Sequence, residues 1–194
     1  TLRLQAWSCR ADRFRLFDLS QYDLHLTITR EPLRNPASMD EPRRPTSHEI
    51  ALRHADLRDL DLLRHWDAQP HVIASDPNDD WEWETELDRS PPWREQLIAT
   101  FQGRPIGFIQ IIDPALEESH YWGDVEHDLR AIDIWIGEAS DLGQGYGTIM
   151  MDLALGRCFS EQSVTAVILD PLVENRRAHR FYERLGFEPV DRRR

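Results

Sequence analysis

Three glycines, Gly143, Gly145 and Gly147, fall within five residues of the stretch DLGQGYGTIMMDLAL, which then opens into an apolar helical pattern. The whole chain has only nine glycines, so this turn is a deliberate concentration. Alternate glycines let a backbone curl tightly and let its N–H groups approach a ligand closely. Successive N–H groups form an anion nest, and the start of a helix adds the positive end of its dipole. The natural guest is a phosphate or pyrophosphate. Neither familiar nucleotide fingerprint fits, however. A dinucleotide turn needs G-x-G-x-x-G and here the third glycine comes too early; a P-loop needs a lysine and the chain has none. On the glycines alone, a plain strand-to-helix connection stays open.

Two further stretches gather acids and rings. DPNDDWEWETE carries Asp76, Asp79, Asp80, Glu82, Glu84 and Glu86 beside Trp81 and Trp83. LEESHYWGDVEHD carries Glu117, Glu118, Asp124, Glu126 and Asp128 beside Tyr121 and Trp122. Carboxylates pair with ammonium groups and rings stack on apolar sugar faces, so a polycationic sugar suits them. The bland alternative is two solvated loops. His120 and His127 lie near Asp124 and Glu126, but their spacing matches no known ligand pattern, and no metal is expected.

Charge narrows the partners. The formal charge is -12, and all 23 basic residues are arginine. Residues 1–38 hold six Arg against four acids, so the excess of acid belongs to residues 39–194. Nucleic acid needs a basic face and is not expected; a cationic ligand is permitted. No apolar run approaches the roughly 18 residues of a membrane span, and the first residues lack the apolar stretch of a secretion signal. Two cysteines, Cys9 and Cys158, make no disulfide framework and point to a reducing cytoplasm. Cys158 falls in a helical pattern and reads as a small core residue.

The elements that must position these groups come in a clear order. EIALRHA reads as a strand. Asp56 can cap a helix with Leu57, Leu60, Leu63 and Trp66 on one face. WREQLIATF, QGRP and IGFIQIID read as a hairpin. In AIDIWIGE, Ile132, Ile134 and Ile136 face one way and Asp133 and Trp135 the other. The glycine turn leads into a helix over about 146–158. VTAVILD is a buried strand ending at Asp170. ENRRAHRFYERLGF is a helix with Ala178, Phe181, Tyr182 and Leu185 on one face and Gly186 at its end. The sum is an α/β (α+β) sheet with helices on both faces.

The turn, the strand with Asp133 and the pattern N..A...YE..GF from Asn175 to Phe187 together resemble the cofactor-binding core of the GNAT superfamily of acyl-CoA-dependent N-acyltransferases. The resemblance covers roughly residues 48–188. It implies the GNAT fold, a central mixed, mostly antiparallel sheet splayed between the fourth and fifth strands. It also implies acetyl-CoA as cosubstrate. The cofactor would be held by Ile134, Ile136, Leu142, Gly143, Gln144, Gly145, Tyr146, Gly147, Thr148, Asn175 and Ala178. Asp133 would act as base or hold the amine, and Tyr182 would protonate the departing thiolate. Leu142 departs from the family pattern, which has Gln or Arg there. Within the superfamily, Ala131-Ile132-Asp133 and Asp170-Pro171 are similar to the aminoglycoside 6′-N-acetyltransferases. That implies a substrate site of Asp133, Asp170, Trp81, Asp80, Glu82, Trp122 and Glu118, and direct attack in a ternary complex. Arg176, Arg177 and His179 read either as contacts to cofactor phosphates or as a solvated face.

Two other readings stay open: acylation of another small amine such as a siderophore hydroxylamine, and a non-catalytic acyl-CoA-binding module. The enzyme is expected to be cytoplasmic, a monomer or homodimer, with no nucleic-acid or membrane partner. Residues 46–194 read as the acetyltransferase domain and 1–45 as an N-terminal extension. The family fold adds a strand after GFEPV, where this sequence runs only to DRRR. The extension has two readings. It is sequence upstream of a start at Met39, or its YDLHLTITR, with alternating Tyr22, Leu24, Leu26 and Ile28, fills the missing strand's place.

Overall fold

The computed structural model describes residues 25–29, 49–77 and 81–190. Asp79 and Asp80, named above, lie outside these residues. Seven strands form one sheet in the order β2-β3-β4-β5-β6-β1-β7. They are β1 (His25–Thr29), β2 (Ile50–His54), β3 (Arg94–Phe101), β4 (Arg104–Ile112), β5 (Leu129–Ile136), β6 (Ala166–Leu169) and β7 (Glu188–Val190). Every neighbouring pair is antiparallel except β5–β6. The helices are α1 (Leu60–Asp67), α2 (Pro70–Ile73), α3 (Trp83–Asp88), α4 (Tyr146–Ser160) and α5 (Arg176–Arg184).

Local sequence explains most of these bounds. Gln102 and Gly103 both take positive φ, which closes the β3–β4 hairpin in two residues. Asp56 caps a short 3-10 turn at Leu57–Asp59 rather than α1 itself. The single helix expected after Asp56 is therefore broken at Asp59, which turns inward to hold Arg53 through both carboxylate oxygens, at 2.6 and 2.7 Å. Asn175 caps α5 by accepting from the Ala178 N–H at 3.0 Å.

Side chains alternate across the sheet and build two layers. On one face α4 brings Met150, Met151, Ala154 and Leu155 against Leu97, Ile109 and Ile132. On the other, α1 and α3 set Leu63, Trp66 and Trp83 on Ile98 and Phe108. The opposed registers Ile98↔Phe108↔Trp135 and Gln96↔Gln110↔Asp133 lie as adjacent rows on that second face. A buried ion pair between Arg94 and Glu86 ties α3 to β3.

Of the two readings of the N-terminal segment, the one that puts it in the sheet is the arrangement observed for His25–Thr29. β1 lies between β6 and β7, antiparallel to both. Leu26 is buried at 1% exposure in the main core, and Ile28 packs against that core. β7 pairs with β1, so β1 joins β7 to the rest of the sheet. Pro189 sits in β7 at the sheet's edge, where a missing donor is tolerated. Leu26→Ala should therefore destabilise the protein by about 2–5 kcal/mol, read from denaturant unfolding. A change within error would mean that β1 contributes nothing to the folded core.

Candidate active site

The site begins where two strands part. β5 and β6 pair in parallel only from Leu129–Ala131 to Ala166–Ile168. Beyond Ala131, β5 continues along β4 to Ile136, while β6 ends at Leu169. The Gly137 N–H bonds back to the Ile106 carbonyl at 2.9 Å. In an antiparallel pair, successive residues point their N–H and C=O groups to alternate sides. Asp133 and Trp135 therefore turn theirs toward β4, and Ile134 and Ile136 turn theirs toward the gap. One of those groups is met by a side chain: His71 Nε2 lies 2.8 Å from the Ile136 carbonyl oxygen. A carbonyl only accepts, so that nitrogen carries the proton.

A cleft of about 1020 Å³ occupies the gap. Ile134, Ile136, the whole turn from Leu142 to Thr148, Asn175, Ala178 and Tyr182 line it. The fold thus brings every residue expected to hold the cofactor to one cavity, with Tyr182 beside them.

The glycine turn is shaped for an anion. Gly143 (φ 78) and Gly145 (φ 87) are left-handed, a conformation that glycine adopts without strain. Gly147 is different. It lies in the first turn of α4, and a Cβ there would meet the Phe181 ring at 3.6 Å, an ordinary contact. Neither backbone nor packing demands a glycine there, which leaves close approach of a ligand as its use. α4 runs for 15 residues, and its first turn carries no acidic side chain to compete with a phosphate. Two clamps fix the entry to the turn. Arg104 grips Asp141 through both oxygens, at 2.7 and 2.9 Å. The Trp66 ring lies where a Cβ on Gly137 would be, 2.0 Å from it, and its Nε1 donates to Glu138 at 3.2 Å. The donor set and its shape fit a diphosphate.

Two carboxylates, Asp133 and Asp170, lie close enough to Tyr182 to act on its phenol. Asp133 Oδ2 accepts from Gln110 Nε2 at 2.8 Å. Burial pushes its carboxyl up to about 6; Gln110 opposes the rise and Asp76 adds to it. Asp170 accepts a hydrogen bond from the Tyr121 hydroxyl. Burial pushes it further, to about 8, against Tyr121 and with help from Asp133 and Asp76. Burial, then Asp133 and Asp170, raise the Tyr182 phenol above its ordinary value, so it stays protonated. Among the described residues no cluster of three or more His, Cys, Asp or Glu could hold a metal ion. Burial likewise pushes the Cys158 thiol up to about 12, which leaves it inert.

Other expected substrate contacts divide. Trp81 stacks on Trp83 at 4.8 Å and leans on Trp135 at 5.5 Å, two positions along β5 from Asp133. Glu82, with φ 30, is exposed at the start of α3. Trp122 is only 5% exposed, packed with Trp93, Ile112 and Ile168 in a core of its own, so it has no face to give a sugar. Glu118 pairs with Arg89 at 2.9 Å. The acid-rich loops spend other acids on their own folding: Glu84 on Arg64, Glu86 on Arg94, and Glu117 on Ser119 and the Tyr121 N–H. His179 turns inward to the Leu172 carbonyl at 2.9 Å, and of the expected basic group Arg177 lines the cleft.

Sequence reasoning passed over Gln110, His71 and the Arg104–Asp141 pair as site residues, and took Tyr121 for a ring that stacks on sugar rather than for the donor to Asp170. Gln110 had a signal, since it is the one amide in the apolar run IGFIQII. The others depend on contacts 37 to 65 residues apart and had none.

Residues 56–194 match the Acetyltransferase (GNAT) domain family. The chain is 30% identical over 158 residues to the aminoglycoside N(6′)-acetyltransferase type 1 of Klebsiella pneumoniae, covering 74% of this chain and 76% of that one. The chain belongs to the GNAT acetyltransferases. It is 28% identical over 162 residues to the lysine N-acyltransferase MbtK of Mycolicibacterium paratuberculosis, covering 75% and 69% of the two. Among solved structures it resembles the aminoglycoside acetyltransferase AAC(6′)-Ib in complex with coenzyme A, and the same enzyme with coenzyme A and kanamycin. Each has a TM-score of 0.64 at 28% identity, over 72% of this chain and 84% of that one.

Gly147→Ala separates binding from folding. It should raise KM for acetyl-CoA roughly tenfold with no loss of thermal stability, since alanine favours the helix by about 1 kcal/mol. Gly145→Ala should instead lower the melting temperature, because its φ must stay positive. Unchanged KM in the first variant would show that the turn does not approach the cofactor.

Proposed function

We propose that the enzyme transfers the acetyl group of acetyl-CoA to the 6′-amine of aminoglycoside antibiotics, by direct attack within a ternary complex, and so confers resistance. The observation that carries this reading is the pair of carboxylates, Asp133 and Asp170, both close enough to act on the Tyr182 phenol that lines a cleft shaped for acyl-CoA, with Asp76 near enough to act on both. Enclosed acids with raised pKa call for a cationic ligand, which restores the favourable charged form. Similarity to AAC(6′)-Ib, solved with coenzyme A and kanamycin, supports the same substrate class. The proposed setting is the cytoplasm, as the sparse cysteines suggest.

Acetyl-CoA supplies an activated acyl group as a thioester. The amides of the 142–148 turn hold its diphosphate, and the gap-facing groups of Ile134 and Ile136 hold its extended arm. An N–H on this stretch of β5 also suits the carbonyl oxygen as it gains charge. An ammonium group must lose its proton before it attacks. With a pKa of about 6, Asp133 is mostly ionised at pH 7 and takes that proton. Asp170 holds a second ammonium of the substrate. Tyr182, kept protonated, gives its phenolic proton to the sulfur as the carbon–sulfur bond breaks, and the proton that the new amide nitrogen sheds restores the phenol. Removal of one positive charge from the drug is the physiological outcome.

The raised carboxylates set two pH dependences. kcat/KM should rise with pH as Asp133 and Asp170 ionise, with apparent values near 6 and 8 belonging to the pair rather than to either residue. Stability runs the other way. Each folded pKa lies above the ordinary value of 3.8, so the fold is favoured at low pH and loses that advantage as pH climbs through about 6 and then about 8. Asp133→Asn removes the cost. It should lower kcat by about 10²–10⁴-fold yet melt at a higher temperature than the parent at pH 8. Full activity in this variant would remove the assigned base.

The lysine N-acyltransferase relatives keep a less cationic amine in play. Thiol release from acetyl-CoA, followed with kanamycin-type amines and with a monoamine, decides between them. Raising salt from low to about 0.5 M should increase KM for the polycation several-fold and leave the monoamine little changed, because screening weakens exposed attraction. No turnover with any 6′-amino compound would overturn the aminoglycoside reading.

A further inference from the structure

Gln110 and Gln96 lie on the solvent-poor face beneath α1 and α3, at 1% and 8% exposure, with Phe108 and Ile112 beside Gln110 on β4 and Arg94 and Ile98 beside Gln96 on β3. They stand directly opposite each other and opposite Asp133 in the register of β3, β4 and β5. Gln96 Nε2 donates to Gln110 Oε1 at 3.2 Å, and Gln110 Nε2 donates to Asp133 Oδ2 at 2.8 Å. The row runs from the middle of the sheet to the edge of the gap.

Buried amides must find partners, and this row admits one arrangement. If the Gln110 amide turned over, its oxygen would face the Asp133 carboxylate and its NH2 would face the NH2 of Gln96. Both contacts would be lost and both replaced by repulsion. The ionised carboxylate, which only accepts, draws the Gln110 NH2 toward Asp133, and Gln96 supports that orientation by giving its own NH2 to the Gln110 oxygen. Oδ2 is the carboxylate oxygen that this donor occupies; Oδ1 remains for the amine.

We propose that Gln110, aligned by Gln96, is a positioning residue for the acyl-transfer reaction: it fixes the rotamer of the Asp133 carboxylate and holds it in the ionised form that takes the proton from the amine. This rests on the reading of Asp133 as the base. The groups that face Asp133 come from four elements: Gln110 on β4, Asp76 after α2, Asp170 at the end of β6 and Tyr182 on α5. Of these, Asp76 and Asp170 disfavour a negative charge on Asp133 when ionised, and Gln110 favours it. A donor to a charged group is worth more than one to a neutral group, which is why one amide can matter against two acids.

The test reads Asp133 directly. Its side-chain carboxyl is followed by carbon NMR during a pH titration of the free enzyme, in the parent, Gln110→Leu and Gln96→Leu. Gln110→Leu should raise the Asp133 titration by about one pH unit, the size expected for one hydrogen bond to a charge. The acid limb of kcat/KM should move by the same amount, with KM for acetyl-CoA unchanged. Gln96→Leu leaves the Gln110 amide free to turn and should give a smaller shift in the same direction; it also serves if Gln110→Leu does not fold. Titrations of Asp133 that coincide with the parent in the folded variants would overturn the proposal. A shifted titration with an unmoved acid limb would instead sink Asp133 as base while leaving its link to Gln110 standing.

Discussion

The constraint on which this protein turns is the parting of β5 from β6 after Ala131. A parallel pair satisfies the backbone of both strands; here the pairing lasts three residues and then stops. The rest of β5 keeps its β4 partner, so it stays straight and ordered while the inner edge of the sheet is left open. Open backbone groups inside a protein are costly unless something meets them. His71 meets the Ile136 carbonyl, and the remaining groups are aimed at the cleft. The fold holds these groups in place for a ligand with a long polar arm, and the pairing it gives up is the source of its binding capacity.

The helix after β5 exploits the same opening. Because β5 ends at Ile136, the chain must turn immediately, and Gly143 and Gly145 allow a curl whose amides look into the gap just ahead of the α4 dipole. Arg104 and Trp66 make that turn rigid from opposite sides, one by charge and one by shape. Beside Tyr182 the cost is electrostatic. Asp133 and Asp170 are kept in surroundings that resist their charge, and each accepts from a neutral side-chain donor, Gln110 or Tyr121, that partly offsets it. Strained acids of this kind trade stability for reactivity, a balance common at sites that do chemistry.

Lateral support comes from both ends of the sequence. β1 sits between β6 and β7, so the strand that carries Asp170 at its end has a partner on its outer side. On the other flank the stacked Trp81 and Trp83, with Trp135 and Phe108, form a ring cluster anchored by the Trp83 indole on Asp67. The outermost ring, Trp81, keeps partial exposure, whereas Trp83 is buried.

The sequence by itself determined the order of elements, the hairpin, the glycine turn with its anion-binding chemistry, and the alternation that puts Asp133 and Trp135 on one face of β5. These are local matters: backbone permissiveness at Gly143 and Gly145 and period-two patterning in AIDIWIGE. Resemblance to the acyltransferases then tied Asn175, Tyr182 and the turn to one cofactor. Tertiary structure alone decided which of the loop acids are spent on folding contacts. Glu86 and Glu117 look no different in sequence from the other acids of their loops, yet they are consumed by Arg94 and by a loop's own backbone, because pairing depends on neighbours that the sequence does not mark. It also buried Trp122 and seated Leu26 beside Leu169. The Gln96–Gln110–Asp133 row belongs here too: its residues are 14 and 23 apart, and only the register of three strands makes them neighbours.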